Sequence, residues 1–252
     1  MSTKINHLLL KWPKGTPATS SWLHELGISS SLSQKYKSNG WVEELGYGVV
    51  KRAGDQISWM GALYTLQIQL HVNLHVGGKT ALEIQGLAHF IKLQQNITHL
   101  YLSGKKKIPN WFLQNDWHTI LNIHHTQFLN SSEGLILQQV NNFNINISGP
   151  ERAFLEVLQL VPNGQDLKEC YYLLENLISL RPKVLQFLLE NTKSIKVKRL
   201  FFFLAEKIKH PWITQLDKSK INFGTGKRKI YEKGSYDGKY MITVPKELID
   251  DN

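Results

Sequence analysis

Residues 20–52 read SSWLHELGISSSLSQKYKSNGWVEELGYGVVKR. Helical spacing puts Trp22, Leu23 and Leu26 on one apolar stripe, and Gly27 ends that helix because glycine accepts positive φ. Ile28 plugs the tight turn. Ser29 or Ser30 can cap the next helix, in which Leu32 and Tyr36, four apart, face inward. Ser30, Ser31, Ser33, Gln34, Lys35, Lys37 and Ser38 are left outward, with no carboxylate among them. Gly40 closes that helix. Two strands follow, Trp41 to Leu45 and Val49 to Arg52, turning at Gly46-Tyr47-Gly48. Upstream, Ile5, Leu8, Leu9 and Trp12 form one face of a short helix that Pro13 ends. Three short helices and a ribbon predict a winged helix-turn-helix, a unit that puts one helix in a DNA major groove.

The outward side chains suit duplex DNA. Hydroxyls and Lys meet phosphates, while Gln and Lys can read adenine and guanine edges. Lys51 and Arg52, on the returning strand, are expected at the sugar-phosphate backbone. Glu43 and Glu44 would repel phosphates and are expected to point away from them. The same three-helix unit also serves in other proteins as a scaffold that binds protein or RNA without operator specificity. Charge supports a polyanionic partner: 30 Lys and Arg face 20 Asp and Glu, a net +10, with a pI near 9.5.

Beyond residue 54 two patterns alternate. Helices are predicted from about Trp59 to His71, capped by Asp55 or Ser58, and from Thr80 to Phe90, with a short extended piece at Leu74 to Val76. This pair is expected to pack on the reader and complete an N-terminal domain, 1–95. From Ile97 the segments 97–102, 111–113, 119–126, 135–140 and 143–147 read as strands, separated by polar and glycine clusters. Residues 151–161, 167–180, 184–191 and 196–209 read as helices, and 221–244 as strands around turns. The fold class is α+β: a winged helix-turn-helix domain followed by a mixed α/β domain, 96–252. No run of about 18 apolar residues marks a membrane span, and residues 1–12 lack a signal-peptide layout, so the cytoplasm is the expected location.

Several chemistries lack their residues. Gly77-Gly78-Lys79-Thr80 resembles the end of a phosphate-binding loop, but the glycine needed five positions before Gly78 is Asn73. His71 and His75 lie outside an H-E-x-x-H frame, and His124 and His125, adjacent on a strand, point to opposite faces, so no metal site is expected. The lone Cys170 forms no intramolecular disulfide and sits among Leu167, Tyr171 and Leu174 as a small apolar residue. Gly234-Ser235 has only Asp237 nearby, not the carboxylate pair of a nucleotidyltransferase. No catalytic residue and no cofactor are assigned, and the chain reads as a non-enzyme. Three basic clusters remain: Lys105 to Lys107; Lys193, Lys196, Lys198 and Arg199; and Lys227 to Lys229. Each is either a solvated surface or a wider nucleic-acid footprint.

The whole chain resembles the AbiEi antitoxins, transcriptional regulators of type IV abortive-infection toxin–antitoxin systems. The likeness rests on the winged unit, on Gly77 to Leu82 with Gly86-Leu87-Ala88-His89 after it, and on two tail motifs. These are Gly224-x-Gly226-Lys227-Arg228-x-Ile230 and Gly234-x-Tyr236-Asp237-x-Lys239-Tyr240-x-Ile242-Thr243-Val244-Pro245. The resemblance implies repression of its own promoter through inverted repeats. It also implies a functional partner that is a nucleotidyltransferase-like toxin, neutralised without a stable complex. It assigns DNA binding to the N-terminal domain and antitoxicity to the C-terminal one. Palindromic operators suit paired readers, so a homodimer on DNA is expected. Lys227, Arg228, Tyr236, Lys239 and Tyr240 form the candidate antitoxicity surface, and their spacing suits the core of a β-hairpin equally well.

Overall fold

Local chemistry sets the first three helices. The computed structural model describes residues 4–88, 97–129 and 132–250. Helix α1 (Lys4–Lys11) is followed by a two-residue strand β1 (Ala18–Thr19). Thr19 caps α2 (Ser20–Glu25) by accepting from Trp22 N at 3.3 Å. Gly27, at φ +76°, takes the chain out of α2. Ser29 caps α3 (Ser30–Ser38) by accepting from Leu32 N at 3.3 Å. The ribbon is β2 (Val42–Gly46) and β3 (Val49–Arg52), and β1 adds to its other side, giving the order β1-β3-β2. Leu8, Trp12, Ala18, Leu23, Ile28, Tyr36 and Val42 make a small core of their own.

The second unit begins at α4 (Trp59–Ile68), capped by Ser58, which accepts from Gly61 N. It continues with β4 (Leu74–Val76), α5 (Gly78–Ile84), β5 (Ile97–Leu102), α6 (Asn110–Gln114), β6 (Ile120–His125), β7 (Leu135–Val140) and β8 (Phe143–Ser148). Four helices follow: α7 (Pro150–Leu160), α8 (Leu167–Asn176), α9 (Pro182–Asn191) and α10 (Ile195–Ile208). The tail carries β9 (Ser235–Asp237) and β10 (Ile242–Val244). The mixed sheet has the order β6-β5-β4-β8-β7, with β4 at its centre. β4 pairs antiparallel with β5 and parallel with β8. The mixed α+β class expected from the sequence is the one observed.

The residues between 59 and 88 do more than extend the reader. β4 lies mid-sheet, and the buried residues of α4 and α5 belong to the large core rather than to the reader's. Helix α4 also serves as the reader's seat. Thr65 Oγ1 donates to Pro17 O at 2.8 Å, Gln69 Nε2 donates to the same carbonyl at 2.9 Å, and Gln69 Oε1 accepts from Thr19 N at 2.9 Å. Residues 111–113 are helical, not extended: Pro109 starts α6, and Trp117 Nε1 donates to Phe112 O at 2.7 Å. A three-residue apolar run has no period of its own, so only this contact decides its state. Helix α5 stops at Ile84, with Gly86 at φ +73° just beyond; the stretch expected to carry it on to Phe90 ends among residues outside those described. In the tail only β9 and β10 are strands, paired antiparallel with each other, and an isolated bridge links Arg228 to Ile242 of β10.

A carboxylate sits at the centre of this architecture. Glu156 of α7 is fully buried. It accepts from His75 Nε2 (2.9 Å), Gly78 N (3.0 Å), Ser148 Oγ (2.7 Å) and Arg152 Nε (2.9 Å). Those donors lie on β4, α5, β8 and α7, so one side chain ties four elements together. Burial alone would raise its carboxyl, but the His75 and Arg152 contacts outweigh that and hold it below the usual range. Glu156→Ala should therefore cost about 3–5 kcal/mol of unfolding free energy, because buried donors on β4, α5, β8 and α7 lose the carboxylate they share. Urea denaturation of the two chains measures it.

A second group adds acid sensitivity. His99 Nδ1 lies 2.9 Å from His124 Nε2. Burial first, then His124 and Lys79, bring His99 down to about 4. An unfolded chain takes up that proton near pH 6.5, the folded chain only near 4. Stability should thus fall as pH drops through that window, and a urea midpoint measured at pH 7 and pH 5 should be lower at pH 5. A midpoint that stays flat in wild type, or falls equally in His99→Gln, would rule this group out as the cause.

Candidate nucleic-acid interface

Helix α3 presents the face the sequence predicts. Tyr36 is buried and Leu32 half-buried, whereas Ser30, Ser31, Gln34, Lys35, Lys37 and Ser38 are exposed and Ser33 is half-buried. Some of these groups are already bonded. Ser31 Oγ is 3.0 Å from Ser29 Oγ, and Ser38 Oγ donates to Lys35 O at 3.0 Å. Lys37 forms an ion pair with Glu44 of the wing. Among the described residues, Lys35 meets no carboxylate at ion-pair distance. A groove runs between α3 and the ribbon, lined by Ser33, Gln34, Lys37, Glu44 and Tyr47.

The ribbon's two basic residues are both engaged within the fold. Lys51 Nζ lies 3.0 Å from Glu43 and donates to Asp55 O at 3.0 Å. Arg52 turns inward. Its guanidinium donates to Leu9 O at 2.6 Å and to Trp12 O, and lies 5.5 Å from the Trp12 ring centroid. These are carbonyls at the end of α1, where a cation is favourable. Lys51 and Arg52 hold the ribbon to α1 and to the loop after it. Glu43 is likewise engaged, accepting from Gly54 N at 3.0 Å; that bond and Lys51 hold its carboxyl low.

Reading the sequence missed Tyr47. At the ribbon's turn, with Gly48 at φ +71°, it is 99% exposed. Two flanking glycines were the available signal. The wing is also held from outside the reader. A Cβ built on Gly46 would meet Trp111 Cβ of α6 at 2.7 Å, so the ribbon's close approach to the second unit needs glycine there.

The other motifs resolve into structure. Gly77 and Gly78 lie against Tyr101 and Glu156, and Gly78 N donates to the Glu156 carboxylate. The place a phosphate would take is filled by the protein's own carboxylate. Among the described residues no group of three His, Cys, Asp or Glu side chains is placed to hold a metal ion. Cys170 is buried, which pushes its thiol well up.

Of the C-terminal basic residues, Arg199 is fully buried and Lys198 nearly so, contrary to a solvated cluster. Lys196 Nζ donates to Gln159 O at 2.7 Å. The five tail residues divide. Tyr240 is buried, its ring stacked 6.4 Å from Phe202, while Lys239 pairs with Glu206 at 2.6 Å. Lys227, Arg228 and Tyr236 are exposed, with the Lys227 ammonium 5.1 Å from the Tyr236 ring.

Arg52→Ala should lower stability by about 1–3 kcal/mol through the two orphaned carbonyls. Gly46→Ala should displace the wing from Trp111 with a smaller loss. Thermal melting of both variants, with quenching of tryptophan emission as a probe of the wing contact, checks the ranking.

No curated protein matches the chain. Among solved structures, that of the RV2827C protein from Mycobacterium tuberculosis is similar, with a TM-score of 0.59 and 12% identity. The likeness covers 95% of this chain and 89% of that one. At such identity it shows a shared fold and no more. A family model described as the transcriptional regulator AbiEi antitoxin N-terminal domain matches residues 1–93. A second, described as transcriptional regulator, AbiEi antitoxin, type IV toxin–antitoxin system, matches residues 95–245. The protein whose small reader core rides on a larger α+β unit therefore belongs to the AbiEi antitoxin family of transcriptional regulators of type IV toxin–antitoxin systems.

Proposed function

We propose that α3 is a recognition helix and that the protein represses its own promoter by binding inverted repeats there. The observation that carries this reading is the exposed face of α3, on which Gln34 and Lys35 stand free of carboxylates on that helix. Gln34 and Lys35 are the base-reading pair. Ser30, Ser31 and Ser33 at the helix start meet phosphates together with the first-turn amides. The ribbon contributes Tyr47 at its tip in place of Lys51 and Arg52. Two protomers on a palindromic site follow from the symmetry of inverted repeats. The protein works in the cytoplasm, where the promoter lies. Its second role, as antitoxin to a nucleotidyltransferase-like toxin, belongs to the C-terminal unit and is exerted without a stable complex. The chain itself carries out no reaction in this scheme.

A second reading has a specific support. Glu43 and Glu44 stand exposed on the ribbon beside α3, and carboxylates there suit a basic protein surface better than DNA. The ion pairs with Lys51 and Lys37 neutralise both, which favours DNA.

The Gln34→Ala, Lys35→Ala double variant should lose about 1–3 kcal/mol of binding per lost base contact on the upstream duplex. If about four to eight phosphates are neutralised, the logarithm of wild-type affinity should fall with that of salt at a slope near −4 to −7. Fluorescence anisotropy on the upstream duplex, against a scrambled duplex of equal length, measures both. Equal affinity for the two duplexes would sink the repressor reading and leave the protein- or RNA-binding module.

A further inference from the structure

A concentration of positive charge greater than the reader's own lies in the tail. Residues 218–246 hold eight Lys and Arg against two Asp and Glu, whereas residues 1–54 hold seven against three. Several of the eight are neutralised. Lys218 and Lys239 pair with Glu206, Lys220 with Asp217 and Lys229 with Glu232. Lys227, Arg228, Lys233 and Lys246 are exposed and, among the described residues, meet no carboxylate at ion-pair distance.

A buried charge lies underneath. Arg199 of α10 has no exposed surface, and its guanidinium donates only to neutral carbonyls. These are Phe223 O (2.8 Å), Gly226 O (2.7 Å), Gly224 O (3.2 Å) and Met241 O (3.3 Å). The cage satisfies its hydrogen bonds but leaves its charge uncompensated, so the loop above it carries a positive field. The surface also offers a ring and open backbone. Tyr236 is 44% exposed. A Cβ on Gly226 or Gly238 would meet nothing within 4 Å, so a ligand can approach the chain there.

The tail and the reader attach to different layers of the fold. In β8, Phe143 packs on Tyr64 of α4 while Ser148 bonds Glu156 of α7. An odd and an even residue of one strand point to opposite faces, so α4 and α7 flank the sheet. The reader is seated on α4. Helix α10 packs on α7 and α8, and the tail packs on α10 through Arg199 and the Phe202 ring. Reader and tail thus attach through helices that belong to opposite faces of the sheet.

We infer that the tail around Lys227, Arg228 and Tyr236 is a second nucleic-acid surface, built for a single strand and separate from the duplex reader. Free cations follow a phosphodiester backbone, and an exposed ring offers a stacking platform for an unpaired base. Three-residue strands make no element that could enter a duplex groove. An acidic protein is the weaker fit, because Tyr236 is the one large apolar side chain of 218–246 found exposed among the described residues, and protein interfaces bury an apolar centre.

The test uses the whole chain and labelled single strands of about 15 nucleotides, oligouridylate and oligothymidylate, with the upstream duplex alongside. Lys227→Ala, Arg228→Ala, Tyr236→Ala together should weaken single-strand binding by about tenfold or more, and leave the duplex within about twofold. The Gln34→Ala, Lys35→Ala variant should do the reverse, so failure of this inference and failure of the repressor reading are told apart. Preference between the two strands identifies RNA or DNA as the source. All three side chains are exposed, and a melting curve confirms that the variant folds. Absence of single-strand binding by wild type, equal loss on both ligands, or displacement of the strand by poly-glutamate at lower charge concentration would each overturn the inference.

Discussion

The buried carboxylate of Glu156 is the constraint on which this architecture rests. A charged group in an apolar interior is tolerated only when fully bonded. Glu156 meets that demand by drawing donors from β4, α5, β8 and α7. The glycine pair at 77–78 exists in the same context: any side chain at Gly77 would collide with the carboxylate or with the Tyr101 ring. A motif that looks like part of a nucleotide site is thus the fitting around an internal anion. The sheet so assembled carries α4 on its other face, and α4 carries the reader.

The protein's positive charge divides by what holds it. Arg52, Lys51, Arg199 and Lys196 donate to backbone carbonyls and act as parts of the fold. Lys37, Lys218, Lys229 and Lys239 are matched by carboxylates. Among the described residues, Lys35 on α3 and Lys227, Arg228, Lys233 and Lys246 in the tail are among the exposed cations that meet no carboxylate at ion-pair distance. A net charge of +10 says that a polyanion is attracted, but not where.

Two units share the chain without being independent. The reader has its own small core, yet its β1 end is bonded to Gln69 and its wing lies against Trp111. The family models divide the chain near residue 94, while the cores divide it near residue 55. The difference is β4, which sequence order places with the reader and hydrogen bonding places in the sheet.

What the sequence by itself determined is local. Thr19, Ser29 and Ser58 cap their helices, and Gly27 and Gly40 end two of them, because these side chains act on backbone within a few residues. The polar outer face of α3 and the strands β5 to β8, set off by polar and glycine clusters, were legible for the same reason. Only the tertiary structure decided that Arg52 turns onto α1, that Arg199 sits inside a cage of carbonyls, and that Tyr47 stands exposed at the tip of the ribbon. Each of those outcomes depends on a partner tens of residues away or on the absence of one, and neither spacing nor composition records how a chain folds back on itself.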